Sequence, residues 1–502
     1  MKVAIIFPKS PFNIGLPHLL KILSEGYENA IKTKIKEKKE KFQIEDLRTS
    51  PSWGFRVLPS IAYLSSILKL EGIKPLLLHM DYLRSKVRKE KNLLRIIEKK
   101  VSRYDAAILF NSTVQFNEVI RLAKTIKSFD SECLTISCGR EATFLTRMVL
   151  KDGFDIAIRG ECEEIIPDLL KKVSKKGVGY LIKDKNIRGI GIKHNKKIVV
   201  KDGVNKVNVN SLPPPDFKIF PHDLRKNANI SWWVSRGCPF KCEYCYEHFF
   251  WNPLRIKTIE KIKLELEKYK KYFPFNHIFF HDSTFNALKD WRAILQLINK
   301  EFDLYNSLNL RADLLSNYDL KFLKSSRTIA VFSGIETFSN QILFALKRFQ
   351  KINTMLKKVK KLNKIIPFLT LSTIIGLPGE NIDNVQNLKK IISALLLKDK
   401  IFQVTTRVFV PYPGTPIFHH PKKYGIEILT YNFERYDRYS FPPVYRLKNL
   451  NEFEIYSLFL DVYSLIVKLN LESVNYPIRR WEDELFEEIN EESKNIYKVK
   501  YG

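Results

Sequence analysis

The stretch Ile230-Ser-Trp-Trp-Val-Ser-Arg-Gly-Cys-Pro-Phe-Lys-Cys-Glu-Tyr-Cys-Tyr-Glu-His248 joins an apolar run to a loop with three cysteines. A strand is predicted over Ile230–Val234, and Cys238, Cys242 and Cys245 follow it closely. Three thiolates so near one another can bind one soft metal centre. A loop after a barrel-type strand is also where β/α barrels carry their active sites. The stretch therefore predicts a metal centre at one end of a barrel.

Two kinds of metal centre fit these cysteines. An iron–sulfur cluster held by three cysteines leaves one iron open to a substrate. Structural zinc is the alternative, because His248 follows Cys245 by three residues and could complete a Cys₃His site. Spacing alone leaves the two open, and the position of the loop after a strand favours the cluster.

Strand and helix units continue beyond the cysteines. Further strands are predicted at Ile278–Phe280, Leu308–Leu310, Ile329–Phe332, Phe368–Ile375 and Gln403–Val410. Helices are predicted between them, at about Ile259–Tyr272, Asp290–Phe302, Gln341–Phe349, Thr354–Lys364 and Asn384–Lys398. About six such units indicate a full or partial β/α (TIM-like) barrel over residues 226–420. A C-terminal helical region, residues 421–502, includes an apolar helix predicted at Glu452–Asn470.

The N-terminal part also alternates strands and helices. Strands are predicted at Val3–Phe7, Pro75–Met80, Ala106–Asn111, Leu134–Cys138 and Phe154–Ile158. This order predicts an α/β, doubly wound (Rossmann-like) parallel sheet over residues 1–185, which would bind a ligand at the carboxyl ends of its strands. A hairpin at Asn186–Val200 and the proline-rich Ser211–Asp216 are assigned to a linker over residues 186–225.

The cysteine pattern resembles that of the radical S-adenosylmethionine superfamily, Cys-x-x-x-Cys-x-aromatic-Cys, with Tyr244 as the aromatic residue. The resemblance implies a [4Fe–4S] cluster on Cys238, Cys242 and Cys245 whose open iron chelates S-adenosylmethionine. One electron would then cleave the sulfonium bond and give a 5′-deoxyadenosyl radical. A flavodoxin- or ferredoxin-type electron donor is implied as a partner.

Later segments resemble family motifs in the same order. They are His281–Phe285, Leu308–Asp313, Gly334–Thr337, Gly376–Glu380 and Tyr412–Pro416. Ser283 stands where acidic residues are usual, and Thr337 replaces a serine. The resemblance implies S-adenosylmethionine contacts from seven residues: Tyr244, Asp282, Ser283, Arg311, Glu336, Gly376 and Glu380.

A doubly wound domain ahead of such a barrel resembles the cobalamin-binding class of the superfamily. The matching segments are Asn111–Thr113, Cys138–Thr143 and Arg159–Glu163, with cysteine in place of glycine at positions 138 and 162. The resemblance implies cobalamin contacts from seven residues: Asn111, Ser112, Thr113, Cys138, Gly139, Arg140 and Glu161. No histidine occurs in an Asp-x-His-x-x-Gly pattern, so none is expected below the cobalt. The alternative is a sheet domain that only shapes the substrate cavity.

The implied reaction is cobalamin-dependent methylation of an unactivated carbon in a small-molecule or lipid substrate. One alternative within the class is ring formation, C–C bond formation or rearrangement without methyl transfer. An alternative of another class is a cobalamin- or zinc-binding protein without turnover. No catalytic residue beyond the cofactor ligands is identified.

Composition narrows the partners. The chain has 502 residues, 45% of them hydrophobic, and 85 Lys and Arg against 54 Asp and Glu give a net charge of +31. This composition excludes whole-chain disorder, and the apolar runs are too short for a transmembrane segment. The clustered cysteines predict a reducing cytoplasm. The charge allows an anionic substrate, a peripheral membrane contact or an acidic electron donor, but a lysine-rich composition that only keeps the protein soluble is the favoured interpretation. The lack of a recognition motif argues against nucleic acid.

Overall fold

The computed structural model describes residues 1–8, 59–87, 90–222, 231–272, 275 and 277–472. Three parts of the sequence predictions lie outside these residues. They are the junction of linker and barrel around position 226, the first residue of the strand predicted at Ile230–Val234, and the end of the C-terminal region, 473–502.

The first sheet has seven strands in the order β2-β1-β3-β4-β5-β6-β7. Their bounds are β1 Val3–Phe7, β2 Leu76–His79, β3 Ala106–Asn111, β4 Leu134–Gly139, β5 Ile156–Ile158, β6 Ile190–His194 and β7 Lys197–Val200. The first five strands are parallel, as predicted for a doubly wound domain.

The hairpin β6–β7 belongs to this sheet rather than to a linker. It adds two antiparallel strands at the β5 edge, where Ile192 pairs with Ile156 and Ile190 pairs with Ile158. Both β6 isoleucines are fully buried, so burial of apolar surface draws the hairpin onto the sheet.

Amphipathic helices cover this sheet. They are Pro59–Leu70, Met80–Lys86, Glu90–Val101, Phe116–Phe129, Arg140–Phe144, Thr146–Asp152, Ile165–Lys176 and Val178–Lys183. In Phe116–Phe129 the buried residues Val119, Leu122, Ala123 and Ile126 recur at helical spacing, which places one apolar stripe against the strands.

The second sheet is a partial barrel. Its order is β15-β14-β13-β12-β11-β8, and every pairing among these strands is parallel. The bounds are β8 Ser231–Trp232, β11 His277–Phe280, β12 Tyr305–Asn309, β13 Thr328–Glu336, β14 Phe368–Ile375 and β15 Gln403–Val408. The short strands β9 Ser235–Arg236 and β10 Arg255–Ile256 pair separately, as do β16 Ile426–Ile428 and β17 Tyr445–Leu447.

Helices alternate with these strands and continue beyond them. They are Tyr246–Trp251, Ile259–Tyr272, Trp291–Phe302, Asn317–Ser325, Asn340–Ala345, Ile352–Asn363, Ile382–Ser393, Pro416–His419 and Glu452–Glu472. A π-helical turn, Ala394–Lys398, extends Ile382–Ser393. The helix predicted at Glu452–Asn470 is confirmed, and its buried residues Ile455, Phe459, Val462 and Ile466 form one stripe. No described helix is long and apolar enough to cross a membrane.

Candidate active site

The cysteine loop leaves the barrel at the end of β9. Gly237 has φ +109, and a side chain there would press on the backbone of Leu254 at 3.0 Å, so glycine suits the turn. Cys238 and Cys242 are buried, and Cys245 is half-buried immediately before the helix Tyr246–Trp251.

The three thiols lie close enough to influence one another. Burial raises the pKa of Cys238 and of Cys245, and the charge of Cys242 adds to both shifts. His248 instead turns its Nδ1 toward the carbonyl oxygen of Cys238, at 3.0 Å. Within the described residues, no three His, Cys, Asp or Glu side chains converge tightly enough for a single metal ion.

Asp282 lies beneath the loop and holds its backbone. One carboxylate oxygen accepts the N–H of Val234 at 3.1 Å, and the other accepts that of Ser235 at 2.7 Å. Burial raises the pKa of Asp282 to about 6. These bonds tie the backbone between β8 and β9 to the segment after β11; of the strand predicted at Ile230–Val234, the structure has Ser231–Trp232 as β8. They give Asp282 a positioning role toward the cysteine loop.

Ser283 contacts a residue that the sequence analysis missed. Its hydroxyl donates to the carboxylate of Glu247 at 2.7 Å, two residues beyond Cys245. Burial raises the pKa of Glu247, and the charge of Arg140 from the first sheet opposes that shift. Glu247 lies within the stretch Ile230–His248, but it is not part of a family motif.

Arg348 is a second missed residue. Its guanidinium lies 3.9 Å from Cys242 Sγ and 3.3 Å from the Glu336 carboxylate, and it donates to the Gly334 carbonyl at 2.7 Å. Its positive charge opposes the burial-driven rise in the pKa of Tyr244. Arg348 therefore joins the cysteine loop to the end of β13. Arg348 follows Glu336 by twelve residues in the sequence, and only folding brings it next to the cysteine loop.

Arg311 is held beside the same loop. It pairs with Asp313 at 2.6 Å and lies 4.1 Å from the ring of Phe240, between the first two cysteines. Its Nη1 is buried and finds no hydrogen-bond partner among the described residues, and the same holds for the hydroxyl of Tyr244.

Gly376 and Glu380 form a closed turn at the carboxyl end of β14. The Gly376 N–H donates to the Glu380 carboxylate at 2.5 Å, and the Tyr445 hydroxyl donates to the Gly376 carbonyl at 2.7 Å. Burial raises the pKa of Glu380 to about 8. Because β14 pairs with β13 through Thr373 and Glu336, this turn lies next to the end of β13.

Asn111 ends β3 at the carboxyl edge of the first sheet. It is buried, and in the part of the chain that the structure describes neither its amide oxygen nor its amide nitrogen has a hydrogen-bond partner. Gly139, at φ +109, packs so closely on the Asn111 carbonyl that a side chain would clash with it. Ser112 and Thr113 donate instead to Gln115 and Glu141, respectively.

Of the other three predicted cobalamin residues, Arg140 and Glu161 contact residues of the second part of the chain, whereas Cys138 lies inside the first sheet. The Arg140 guanidinium stacks on Tyr246 at 3.9 Å. Cys138 is fully buried in the core of the first sheet. The Glu161 carboxylate forms ion pairs with Arg236 and Arg255 of the second sheet's segment, which the sequence analysis did not foresee.

Known proteins resemble the chain over this region. Residues 234–392 match the family model described as Radical SAM superfamily. An uncharacterised methyltransferase of Pyrococcus horikoshii is 26% identical over 422 residues, which are 80% of this chain and 89% of the relative. An anaerobic magnesium-protoporphyrin IX monomethyl ester cyclase of Rubrivivax gelatinosus is 21% identical over 402 residues, 77% of this chain and 68% of the relative.

A solved structure has the same fold. It is the radical S-adenosylmethionine methyltransferase TsrM from Kitasatospora setae, with cobalamin and a [4Fe–4S] cluster bound. The TM-score is 0.65 at 14% identity, and the alignment covers 93% of this chain and 89% of TsrM. At this identity the likeness concerns the fold, and it spans both sheets.

Proposed function

Because the chain carries a radical SAM domain, which implies a [4Fe–4S] cluster and S-adenosylmethionine, we propose that it is a cobalamin-dependent methyltransferase. Its substrate would be a small molecule or lipid with an unactivated carbon. One observation carries the proposal: the cysteine loop is fastened by Arg236 to Glu161 and Glu163 at the carboxyl edge of the first sheet. The two ligand-binding edges therefore face one space.

The residues around the loop fit a cluster and a polar cofactor. Cys238, Cys242 and Cys245 would hold the cluster. Four polar atoms that no described residue pairs are buried around the loop and at the neighbouring strand ends: Tyr244 Oη, Arg311 Nη1, Thr337 Oγ1 and Glu380 Oε1. Burying such groups unpaired costs about 1–3 kcal/mol each, so a polar ligand that pairs with them is favoured. The cluster would supply the electron that cleaves S-adenosylmethionine.

The edge of the first sheet fits cobalamin. Asn111 offers an unpaired buried amide, and Gly139 and Cys138 keep the neighbouring strand end small. Cobalamin would supply the methyl group. The side chains of this chain would position the reactants: Asp282 fixes the loop, and the Arg140–Tyr246 stack joins the first sheet to the helix that follows Cys245.

We also propose domain limits and an electron source. The first domain would include the hairpin β6–β7, and the barrel would begin near β8. A reducing cytoplasm suits the unpaired thiols. An acidic flavodoxin- or ferredoxin-type protein would suit a chain of net charge +31.

The test is turnover of the full chain after anaerobic reconstitution with iron, sulfide and cobalamin. S-adenosylmethionine with a deuterated methyl group is the donor, and mass spectrometry detects label in the candidate substrates. Label in a product supports the proposal. Formation of 5′-deoxyadenosine with substrate conversion but no label contradicts methyl transfer. That result would favour ring formation, the candidate suggested by the cyclase relative.

A further inference from the structure

Two exposed phenylalanines lie together beside the cysteine loop. Phe344, in the last turn of the helix Asn340–Ala345, is 71% exposed, and Phe349 is 64% exposed. Their rings pack edge to face, with 5.7 Å between the ring centroids. Two large aromatic rings in contact on the outside of the protein form an apolar patch, and contact with a partner would take that patch out of water.

The backbone that carries this phenylalanine pair lies directly against the cysteine loop. Lys347 has φ +54 and Phe349 has φ +48, a conformation that side chains of this size rarely adopt. In this turn Lys347 and Phe349 are exposed, whereas Arg348 and Gln350 are turned inward. Arg348 is the residue whose guanidinium lies 3.9 Å from Cys242 Sγ. One residue along the chain therefore separates the exposed Phe349 ring from a contact with a cluster cysteine.

Glu243 joins the cysteine loop to the same turn a second time. It directly follows Cys242, and its N–H donates to the Leu346 carbonyl oxygen at 3.1 Å. Its buried carboxylate pairs with Lys347 and accepts the hydroxyl of Tyr424 at 3.0 Å. These contacts fix the position of the phenylalanine pair relative to the three cysteines.

Positive charge surrounds the phenylalanine pair. Four exposed lysines adjoin the residues just described: Lys241, Lys351, Lys422 and Lys423. Lys241 precedes Cys242, Lys351 follows Phe349 by two residues, and the other two precede Tyr424. None of the four forms an ion pair within the described part of the chain, and the carboxylate of Glu243 is buried and already paired. A basic rim around an apolar centre favours a partner with an acidic surface.

We propose that the phenylalanine pair and its lysine rim form the surface that binds the electron donor, an acidic protein of the flavodoxin type. Aromatic side chains pack well on flat aromatic rings, so the pair suits a flavin better than an iron–sulfur cluster. Aromatic side chains at the centre and charged ones at the rim are the usual anatomy of a protein interface. This inference rests on the function proposed above and deepens it, because it places the donor beside Cys242.

The step at this surface is the transfer of one electron. The anionic flavin hydroquinone of the donor would lose the electron and become the neutral semiquinone, without movement of a proton. The cluster on the three cysteines would gain that electron and pass from its oxidised to its one-electron-reduced state.

The test is binding of a purified oxidised flavodoxin to the reconstituted full chain, measured by isothermal titration calorimetry. A [2Fe–2S] ferredoxin and vesicles of phosphatidylcholine and phosphatidylglycerol are separate probes. One variant combines Phe344→Ala with Phe349→Ala, and the other combines Lys351→Glu with Lys423→Glu. The control combines Lys175→Glu with Lys197→Glu, two exposed lysines of the first domain, and changes the net charge by the same amount.

Flavodoxin should bind the wild type and the control with similar affinity. The phenylalanine variant should bind about tenfold more weakly. The lysine variant should also bind about tenfold more weakly at low salt, and this difference should shrink as the salt concentration rises. Flavodoxin hydroquinone should reduce the cluster more slowly in both variants, whereas dithionite, which needs no docking surface, should reduce all four proteins at the same rate.

Several results would overturn the proposal. They are no binding of flavodoxin to the wild type, unchanged binding to the phenylalanine variant, or equal weakening in the control and the lysine variant. Binding of ferredoxin alone would refute the flavin donor, and vesicle binding that only the phenylalanine variant loses would assign the surface to a membrane. Iron content is measured separately: a chain without a cluster would defeat the proposed function, yet binding of oxidised flavodoxin would still decide whether the surface exists.

Discussion

Arg236 provides the sharpest test of how the two sheets cooperate. It lies two residues before Cys238, and its side chain is 3% exposed. One nitrogen pairs with Glu161 and the other with Glu163 at 2.6 Å. Arg255 is a second partner of Glu161, whereas Glu163, itself 4% exposed, has its ion pair with Arg236 alone among the described residues. Replacing Arg236 therefore leaves Glu163 buried without a cation.

The expected magnitude follows from that burial. Removing one partner of a buried ion pair costs about 3–5 kcal/mol, a large share of the roughly 5–15 kcal/mol that stabilises a domain. Arg236→Met keeps an apolar side chain against the Trp233 ring, 4.3 Å from the guanidinium. Adding Glu163→Gln should recover about 2 kcal/mol, because an amide is cheaper to bury than an unpaired carboxylate.

The assay is urea unfolding of the full chain followed by tryptophan fluorescence. With an m value of about 3 kcal/mol/M, the Arg236→Met midpoint should fall by about 1 M or more. The control is Arg292→Met, which removes a half-exposed partner of Asp319 and should cost less than about 1 kcal/mol. If Arg236→Met loses no more stability than Arg292→Met, or if adding Glu163→Gln recovers no stability, the ion pairs of Arg236 do not hold the cysteine loop to the first sheet.

Three further outcomes are expected. In urea unfolding, Gly376→Ala should lower the free energy of unfolding by at least about 2 kcal/mol more than Gly379→Ala does. Both glycines have φ near +80, but only a methyl group at position 376 would clash with the Tyr445 hydroxyl, so equal losses would contradict this packing. The pKa of Glu380 in the folded protein, about 8, lies above its unfolded value, so the free energy of unfolding should fall as pH rises from 5 to 8, by at most about 1.4 kcal/mol per pH unit. Glu380→Gln should flatten this dependence on pH, and an unchanged dependence would refute the burial argument. Asn111→Leu should leave the cobalamin-free protein at least as stable as the wild type, yet it should weaken cobalamin binding about tenfold in absorbance titrations. An unchanged affinity for cobalamin would show that Asn111 does not contact it.

The order of strands and helices follows from the sequence because apolar periodicity reports burial. It predicted the two parallel sheets and the C-terminal helix. It misplaced the hairpin β6–β7, since alternation reveals a strand but not which sheet edge it joins. It predicted one strand over Ile230–Val234, where the structure has β8 at Ser231–Trp232, and it did not predict the short strand β9 at Ser235–Arg236. The backbone of Ser235 is held there by the carboxylate of Asp282, which comes from about fifty residues away.

The residues of the site likewise include some that the sequence alone reveals and others that only the fold brings together. The spacing of the cysteines is local, so the sequence shows it. Arg348 and Glu247 reach the site only through the fold, and neither carries a motif. Glu161 lies in a segment that matches a family motif, and the fold pairs its carboxylate with Arg236 and Arg255, two partners that are distant in sequence.

The central claim is that Cys238, Cys242 and Cys245 hold a [4Fe–4S] cluster that binds S-adenosylmethionine. The most direct test is low-temperature electron paramagnetic resonance of the reconstituted, dithionite-reduced full chain, before and after addition of S-adenosylmethionine. The account predicts a reduced-cluster signal that changes when S-adenosylmethionine is added and is absent in Cys242→Ala. A signal that ignores S-adenosylmethionine, or a reconstituted protein that holds zinc and no iron, would contradict it.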